Sequence, residues 1–380
     1  MEIQMINLLI FRISLHYTII WTENVRNFTT ELSFEREPEI AVETNKKFKE
    51  IDYFNLFFYE NILKAIVQQS NLHRSQKQGI GKYDYDLTFT ELQAWIGMII
   101  LMGIHRLPRI ENYWSTDPAL RVDFIAKIMP RDTFRKITEI LHINDNNNNN
   151  LPKTQPNYDK LFKLRPLIDH LHEKIKVLYT PSKTLSVDES MLKFKGRSSL
   201  KQYMPQKPIK RSYKVWCLAD SKTSYIANFE VYTGKCNDNQ SNDTLGERVV
   251  IKLTRELQGT FSLVAYDNFF TSVNLVEELR NTGIYSVGTV RTNRKGLPEM
   301  MKEKKLQRRE YEFKTTNNVT AIKWMYSKIV TVLSSAHNPL TISTVKRTLK
   351  TGEKIVVSCQ IAVAVYNSIM GGVVGFDQRK

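Results

Sequence analysis

The sequence predicts an α+β protein, an all-helical N-terminal region followed by a mixed sheet. Three observations predict it. Apolar residues recur every three or four positions up to about Tyr179. After Pro181 come short runs rich in β-branched and aromatic residues, TLSVDES, SYKVWCLAD, SYIANFEVY, FSLVAYD and IYSVGTV, bounded by Gly, Asn, Asp and Ser. The first three runs follow one another directly, whereas the last two alternate with stretches of helix length, which is a mixed-sheet signature.

Taken in order, residues 1–20 read as an extension, either frayed or upstream of the folded body. Glu2 stands where a signal peptide needs a cation, Arg12 breaks the apolar run, and no small-residue cleavage site follows. The run is also too short to span a bilayer, so no membrane partner is expected. Residues 21–180 form the helical region. DYFNLFFYENILKAIVQQ has helical periodicity, and Thr90 with Gln93 predicts a capping box for LQAWIGMIILMGI, whose apolar residues lie on every face and predict a buried helix. Asp132 or Thr133 is the expected cap of FRKITEILHI. The run Asn146 to Asn150 has no hydrophobic period and reads as a solvated loop and candidate hinge. YDKLFKLRPLIDHLHEKIKVLY then supplies another amphipathic helix.

Residues 181–295 hold the three-strand meander, TLGERVVIKLTRELQG as a helix, FSLVAYD, TSVNLVEELRNTG as a helix closed by Gly283, and IYSVGTV. Residues 296–340 carry a basic stretch and then further strand-like runs, which interrupt the alternation and read as an insertion. Residues 341–380 resume it as a strand or buried helix and are expected to stop short of a complete final helix.

Composition narrows the function. The chain has 380 residues, 42% of them hydrophobic, enough for two or three folded units. Its 55 Lys and Arg against 39 Asp and Glu give a formal net charge of +16, which suits a polyanionic partner, nucleic acid above all. Three cysteines without a C-x-x-C pair argue against a disulfide framework and against structural zinc. No GxGxxG, P-loop, GxSxG or HExxH occurs, and no small-molecule cofactor is expected. His170 and His172, two apart on a helix, diverge and do not share a metal. Trp216 and Trp324 read as core.

Two aspartates lie at strand ends, Asp188 in LSVDESM and Asp267 in LVAYDNFFTS. Carboxylates placed there hold divalent ions in phosphodiester chemistry, where metal activates the attacking oxygen and neutralises the leaving one. An Asp after a strand is equally a common turn or cap residue. Glu189 alternates to the opposite face and reads as structural. Between Lys193 and Lys214 the segment KFKGRSSLKQYMPQKPIKRSYK has eight cations and no acid: Lys193, Lys195, Arg197, Lys201, Lys207, Lys210, Arg211 and Lys214, interleaved with Phe194, Tyr203 and Tyr213. Such a block neutralises phosphates and stacks bases, or is a solvated face. RTNRKGLPEMMKEKKLQRRE, with eight basic and three acidic residues, suits a solvated helix, a nuclear-import patch or a DNA contact equally.

Ordered motifs then point to a family. YFNLFFYENIL, IVQQSN, LQAWIGMIILMGIHRLPRIENYWS, DKLFKLRPLID, LSVDESMLKFKGRSSLKQYMPQKPIKRSYKVWCLADSKTSYIANFEVYTGK, VAYDNFFTS, GTVRTNRKGLP, KWMYSKIVTVLSS and YNSIMGGVVGFDQ together resemble piggyBac-type transposases and the domesticated proteins derived from them, over residues 21–380. The resemblance implies an RNase H-like catalytic core split by an insertion domain and preceded by a helical dimerisation and DNA-binding region. It implies cut-and-paste transposition with two magnesium ions on a triad of aspartates, and DNA and a second copy of the chain as partners; a DNA partner and the basic clusters place the expected localisation in the nucleus. Asp188 and Asp267 match the first two aspartates. Val374 stands at the third, in GGVVGFD, and an aliphatic side chain has no lone pair for a hard cation. Asp377 matches the neighbouring acidic position, one helical turn on. Tyr326 stands in KWMYSK where the family frequently has Asp, and the cysteine-rich zinc segment of many members does not occur within these residues.

Three readings follow: a catalytically degenerate, transposase-derived DNA-binding protein; an active transposase or nuclease using Asp188, Asp267 and Asp377; and a decayed element product without a stable fold. Val374 favours the first.

Overall fold

The computed structural model describes residues 19–25, 37–42, 48–77, 85–148, 151–152, 155, 158–194, 196–205, 209–234, 243–303, 306–317, 319–349 and 351–380. The chain divides into two compact units, one of residues 40–178 and one of residues up to 39 together with 179–380.

The first unit is helical: α1 (Glu50–Phe57), α2 (Glu60–Gln76), α3 (Phe89–Ile104), α4 (Asp123–Ile128), α5 (Arg131–Ile140) and α6 (Arg165–Leu178). Its core gathers Leu63, Ile66, Leu92, Met98, Ile125, Phe134 and Ile137. The capping box of α3 sits two residues earlier than expected. Thr88 accepts from the Glu91 N–H while the Glu91 carboxylate accepts the Thr88 N–H, so the helix gains one further half-turn. Nor is α3 buried all round. Leu92 and Met98 are buried, but Ile100 and Ile104 are 50% and 79% exposed, because the helices packed on α3 cover only part of its circumference. Helix α5 begins at Arg131 with Pro130 as its N-cap, ahead of Asp132 and Thr133. The Asn run is not a hinge between units, since both its sides belong to this one. Its first residue is anchored: Asn146 Nδ2 lies 3.1 Å from His73 Nδ1 and from His142 Nε2, two rings stacked 3.4 Å apart. Asn149 and Asn150 lie outside the described residues. His170 is buried with Nε2 on the Phe57 carbonyl, so it has a structural partner in α1.

The second unit is built on strands β1 (Thr184–Lys193), β2 (Gln202–Tyr203), β3 (Arg211–Asp220), β4 (Ile226–Val231), β5 (Leu263–Tyr266), β6 (Tyr285–Thr289), β7 (Tyr311–Thr316), β8 (Val319–Met325) and β9 (Ile329–Ser334). They make one nine-stranded sheet in the order β2-β3-β1-β5-β6-β9-β8-β7, with β4 also paired to β3. The meander β1, β3, β4 is antiparallel, and β5 and β6 then add in parallel to β1. Parallel neighbours need crossovers, which α7 (Leu245–Thr254) and α8 (Val273–Asn281) supply. This is the RNase H-like arrangement that the resemblance implies. Gly283 follows α8 with φ +75, and a Cβ there would meet Gly259 Cα at 2.9 Å, so the turn into β6 requires glycine twice over.

One side of the sheet packs Leu185, Val187, Trp216 and Tyr266 against Val250 and Leu253 of α7 and Leu275 and Val276 of α8. The strands of residues 296–340 extend the same sheet as an antiparallel meander on β6. Trp324 is fully buried there and Tyr326 stacks on it at 5.9 Å, with the Arg308 guanidinium 4.6 Å above the Tyr326 ring. Tyr326 is therefore a packing residue. A separate two-stranded ribbon, β10 (Ile342–Thr348) and β11 (Lys354–Gln360), precedes α9 (Ile361–Ile369) and α10 (Gly372–Arg379).

Candidate active site and basic segment

The two strand-end aspartates are neighbours. Strands β1 and β5 run parallel with Val187 beside Tyr266, so the next residues in register are Asp188 and Asp267. Side chains alternate along a strand. Val187 and Tyr266 enter the core beneath α7 and α8, which turns both aspartates to the other side of the sheet. Across the antiparallel pair with β3, Asp188 sits opposite Cys217. On the far side, Tyr266 pairs with Gly288, which brings Thr289 level with Asp267. A row Cys217, Asp188, Asp267, Thr289 thus crosses four strands.

Helices α9 and α10 cover this row. Tyr366 of α9 places its hydroxyl 3.4 Å from Thr289 Oγ1. Burial pushes its phenol up, the Thr289 hydroxyl pulls it partly back, and the Asp267 and Asp188 carboxylates push it further up. Cys217 is pushed to about 12, chiefly by burial and then by the charges of Asp377 and Asp188, so it is a packed thiol and not a nucleophile. Both aspartates also serve the backbone. Asp188 Oδ1 accepts the Glu189 N–H at 2.8 Å, and Asp267 Oδ1 accepts the Phe269 N–H at 2.9 Å, closing the turn after β5.

Helix α10 lies along β1. A Cβ on Gly372 would come within 2.6 Å of Ser186 Oγ and 3.0 Å of the Asp220 carbonyl, so the helix touches the sheet through a residue without a side chain. Val373 buries itself with Val215, Cys217 and Ala219. At the other end Ser190 donates to Asp377 Oδ1 at 2.7 Å, and Lys380 Nζ lies 2.6 Å from the same oxygen and 2.7 Å from Ser190 Oγ. Ser186, Asp188 and Ser190 share one strand face, so α10 passes from the level of Ser186 to that of Ser190 and carries Val374 between them. Val374 is 49% exposed. The structure therefore brings Asp188 and Asp267 together and seats Asp377 on Ser190 and Lys380, two residues further along.

The basic segment leaves from the same end of the sheet. Strand β1 continues past Asp188 to Lys193, and β2 returns beside β3 with Tyr203 opposite Arg211. Lys193, Arg197, Lys210 and Arg211 are exposed. Arg211 lies 5.5 Å over the ring of Tyr203, itself 63% exposed, a cation and an aromatic face presented together. Lys201 and Lys214 turn back onto the chain, Lys201 to the Gly196 carbonyl at 2.6 Å and Lys214 to the Trp216 ring at 3.7 Å. Lys195 and Lys207 lie outside the described residues. Tyr366, Thr289, Ser190 and Lys380 were not legible as site residues, since only the sheet register and the docking of α9 and α10 bring them to the aspartates.

A sheet of this order, with aspartates at adjoining positions of its central parallel strands, defines an RNase H-like scaffold. The chain matches the family described as Transposase IS4 over residues 49–379. It is 32% identical over 342 residues to the human PiggyBac transposable element-derived protein 3, covering 86% of this chain and 55% of that protein. With the human PiggyBac transposable element-derived protein 2 it is 30% identical over 357 residues, covering 90% and 58%. A solved structure described as a piggyBac transposase synaptic complex with hairpin DNA matches with a TM-score of 0.69 at 28% identity, over 86% of this chain and 66% of that one. The chain belongs to this transposase family and is of the piggyBac type. It spans little more than half the length of these two human relatives.

The family's chemistry uses divalent metal. Asp188 and Asp267 supply the hard oxygens such an ion takes. Among the described residues, however, no group of three or more His, Cys, Asp or Glu is placed to hold a metal. Val374, at the level of the pair, offers no donor atom, so the donor set for two ions does not fit.

Proposed function

We propose that the chain is a DNA-binding protein of the piggyBac type in which strand cleavage has been lost. Val374 carries this reading. A two-ion phosphoryl-transfer site needs its carboxylates to bridge and neutralise both ions, and here an aliphatic side chain stands where the resemblance places one of them, while Asp188 and Asp267 occupy adjoining strand positions. DNA remains the partner that suits the rest of the molecule: the net charge of +16, and the exposed cations of β1 and β3 with Tyr203 of β2 beside them. Nuclear residence and assembly as a homodimer go with that reading.

A plasmid-nicking assay with magnesium and with manganese tests it, comparing the chain, Asp188→Ala and Val374→Asp. The expected result is no nicking by the first two and metal-dependent nicking by Val374→Asp. Nicking by the chain itself, abolished in Asp188→Ala, overturns the proposal and makes Asp377 or another donor the third ligand.

A further inference from the structure

The ribbon formed by β10 and β11 is paired with no other strand of the described residues. Its burial alternates with a period of two up to Cys359: Ser343, Val345 and Arg347 face inward and Ile342, Thr344, Lys346 and Thr348 are exposed, and on the partner strand Ile355, Val357 and Cys359 face inward while Lys354, Val356 and Ser358 are exposed, with Gln360 buried at the end. Register keeps the two faces separate, with Thr344 beside Ser358, Lys346 beside Val356 and Thr348 beside Lys354. The inner face is secured. Val345, Ile355, Val357 and Cys359 join the cluster of Trp324 and Ala362, and Arg347 sets its guanidinium 5.8 Å from the Trp324 ring.

The outer face is built unlike an ordinary solvated strand. Between Ile342 and Gln360 there are four cations and one carboxylate, Glu353, which lies in the turn and not on the face. The face itself mixes two lysines, three hydroxyl side chains and two aliphatic ones, Val356 at its centre, 65% exposed, and Ile342 at its end. Cations neutralise phosphates, hydroxyls donate to or accept from base edges, and an aliphatic group packs on a thymine methyl. Two strands about 4.8 Å apart also fit a major groove about 12 Å wide, as β-ribbon readers do.

From this we infer that the ribbon is a second DNA-contacting element, which lays its outer face in the major groove of duplex DNA. The inference rests on the DNA-binding reading above and adds a site outside the basic segment of Lys193 to Lys214. Lys346 and Lys354 meet phosphates on either side of the groove, and Thr344, Val356 and Ser358 meet base edges.

The test measures binding of the full chain to a fluorescein-labelled 20-base-pair duplex, and to one of its strands alone, across a salt series. Lys346→Glu with Lys354→Glu should weaken duplex binding about tenfold or more and lower the salt slope by about two, one for each phosphate that is no longer neutralised. Lys346→Arg with Lys354→Arg should keep wild-type affinity, and an unchanged thermal melt should show the acidic variant folded. Thr344→Ala with Ser358→Ala should leave the salt slope intact while flattening the preference among duplexes of different sequence. If the acidic variant binds duplex like wild type while Lys210→Ala with Arg211→Ala does not, the ribbon is overturned and the DNA-binding reading stands. Equal losses on duplex and single strand overturn groove reading. A wild-type chain that binds neither probe overturns both.

Discussion

On the proposed reading single side chains decide what the aspartate pair can do, Val374 first among them. It is 49% exposed on α10, so Val374→Asp replaces a methyl pair that already meets solvent and should change thermal stability by less than about 0.5 kcal/mol. Asp377→Ala should behave differently. It removes the acceptor shared by Ser190 and Lys380 that pins α10 to β1, and a loss of about 1 to 3 kcal/mol is expected in denaturant melts. A gain of nicking in Val374→Asp would then report chemistry and not refolding. A second residue-scale consequence concerns pH. Burial, the neighbouring His142 and the charges of Lys77 and Lys163 hold His73 down to about 4, and burial alone holds His337 at about 4. Between about 6.5 and 4 the unfolded chain binds protons at these sites that the folded chain does not, so stability is complete above that window and falls as pH drops through it. Melting at pH 7.5 and 4.5 should show the fall, and His73→Phe, which keeps a ring in the stack but cannot titrate, should reduce it. Asp159, held below the ordinary carboxylate range chiefly by its hydrogen bond from Arg165, contributes at lower pH, where its loss is separable.

Elements show where local sequence was sufficient and where it was not. The five strand-like runs after Pro181 became β1, β3, β4, β5 and β6, because alternation of β-branched residues and the turn residues between them are local signals. The aspartates were legible for the same reason, as each closes or interrupts such a run. The α3 cap was misplaced because Thr88-x-x-Glu91 and Thr90-x-x-Gln93 both satisfy the capping pattern, and only the backbone distinguishes them. Thr88→Ala should therefore cost about 1 kcal/mol in a urea melt, whereas Thr90→Ala, the second residue of the helix, should cost less than about half of that. Equal losses would place the cap elsewhere. Thr244-x-x-Glu247 carries the same signal at the start of α7, and there the buried Glu247 also accepts a hydrogen bond from Ser272, the N-cap of α8, tying the starts of the two crossover helices together. The apolar run of α3 could not reveal its own exposure, since burial depends on which neighbours arrive. Tyr366 and Thr289 were silent for a related reason: their proximity to Asp267 comes from strand register and from a helix about 100 residues away in sequence.

At the scale of the whole molecule, charge determines how binding responds to its surroundings. Each phosphate that a lysine or arginine neutralises releases counterions, and the logarithm of affinity falls with the logarithm of salt by about 0.9 per phosphate on duplex DNA. Not all of the basic segment is available for this. Lys201 and Lys214 are engaged with the Gly196 carbonyl and the Trp216 ring, whereas Lys193, Arg197, Lys210 and Arg211 are exposed, and the ribbon adds Lys346 and Lys354. These six cations give a slope of about −5, so raising salt from 50 to 200 mM should weaken duplex binding about a thousandfold. Lys214→Ala should leave that slope unchanged and lower stability instead, because the cation–π interaction with Trp216 goes with the side chain. Lys210→Ala with Arg211→Ala should lower the slope by about two. A slope near −1 in the wild-type chain would mean that the net charge of +16 acts only as a diffuse field and that neither the basic segment nor the ribbon follows the phosphate backbone.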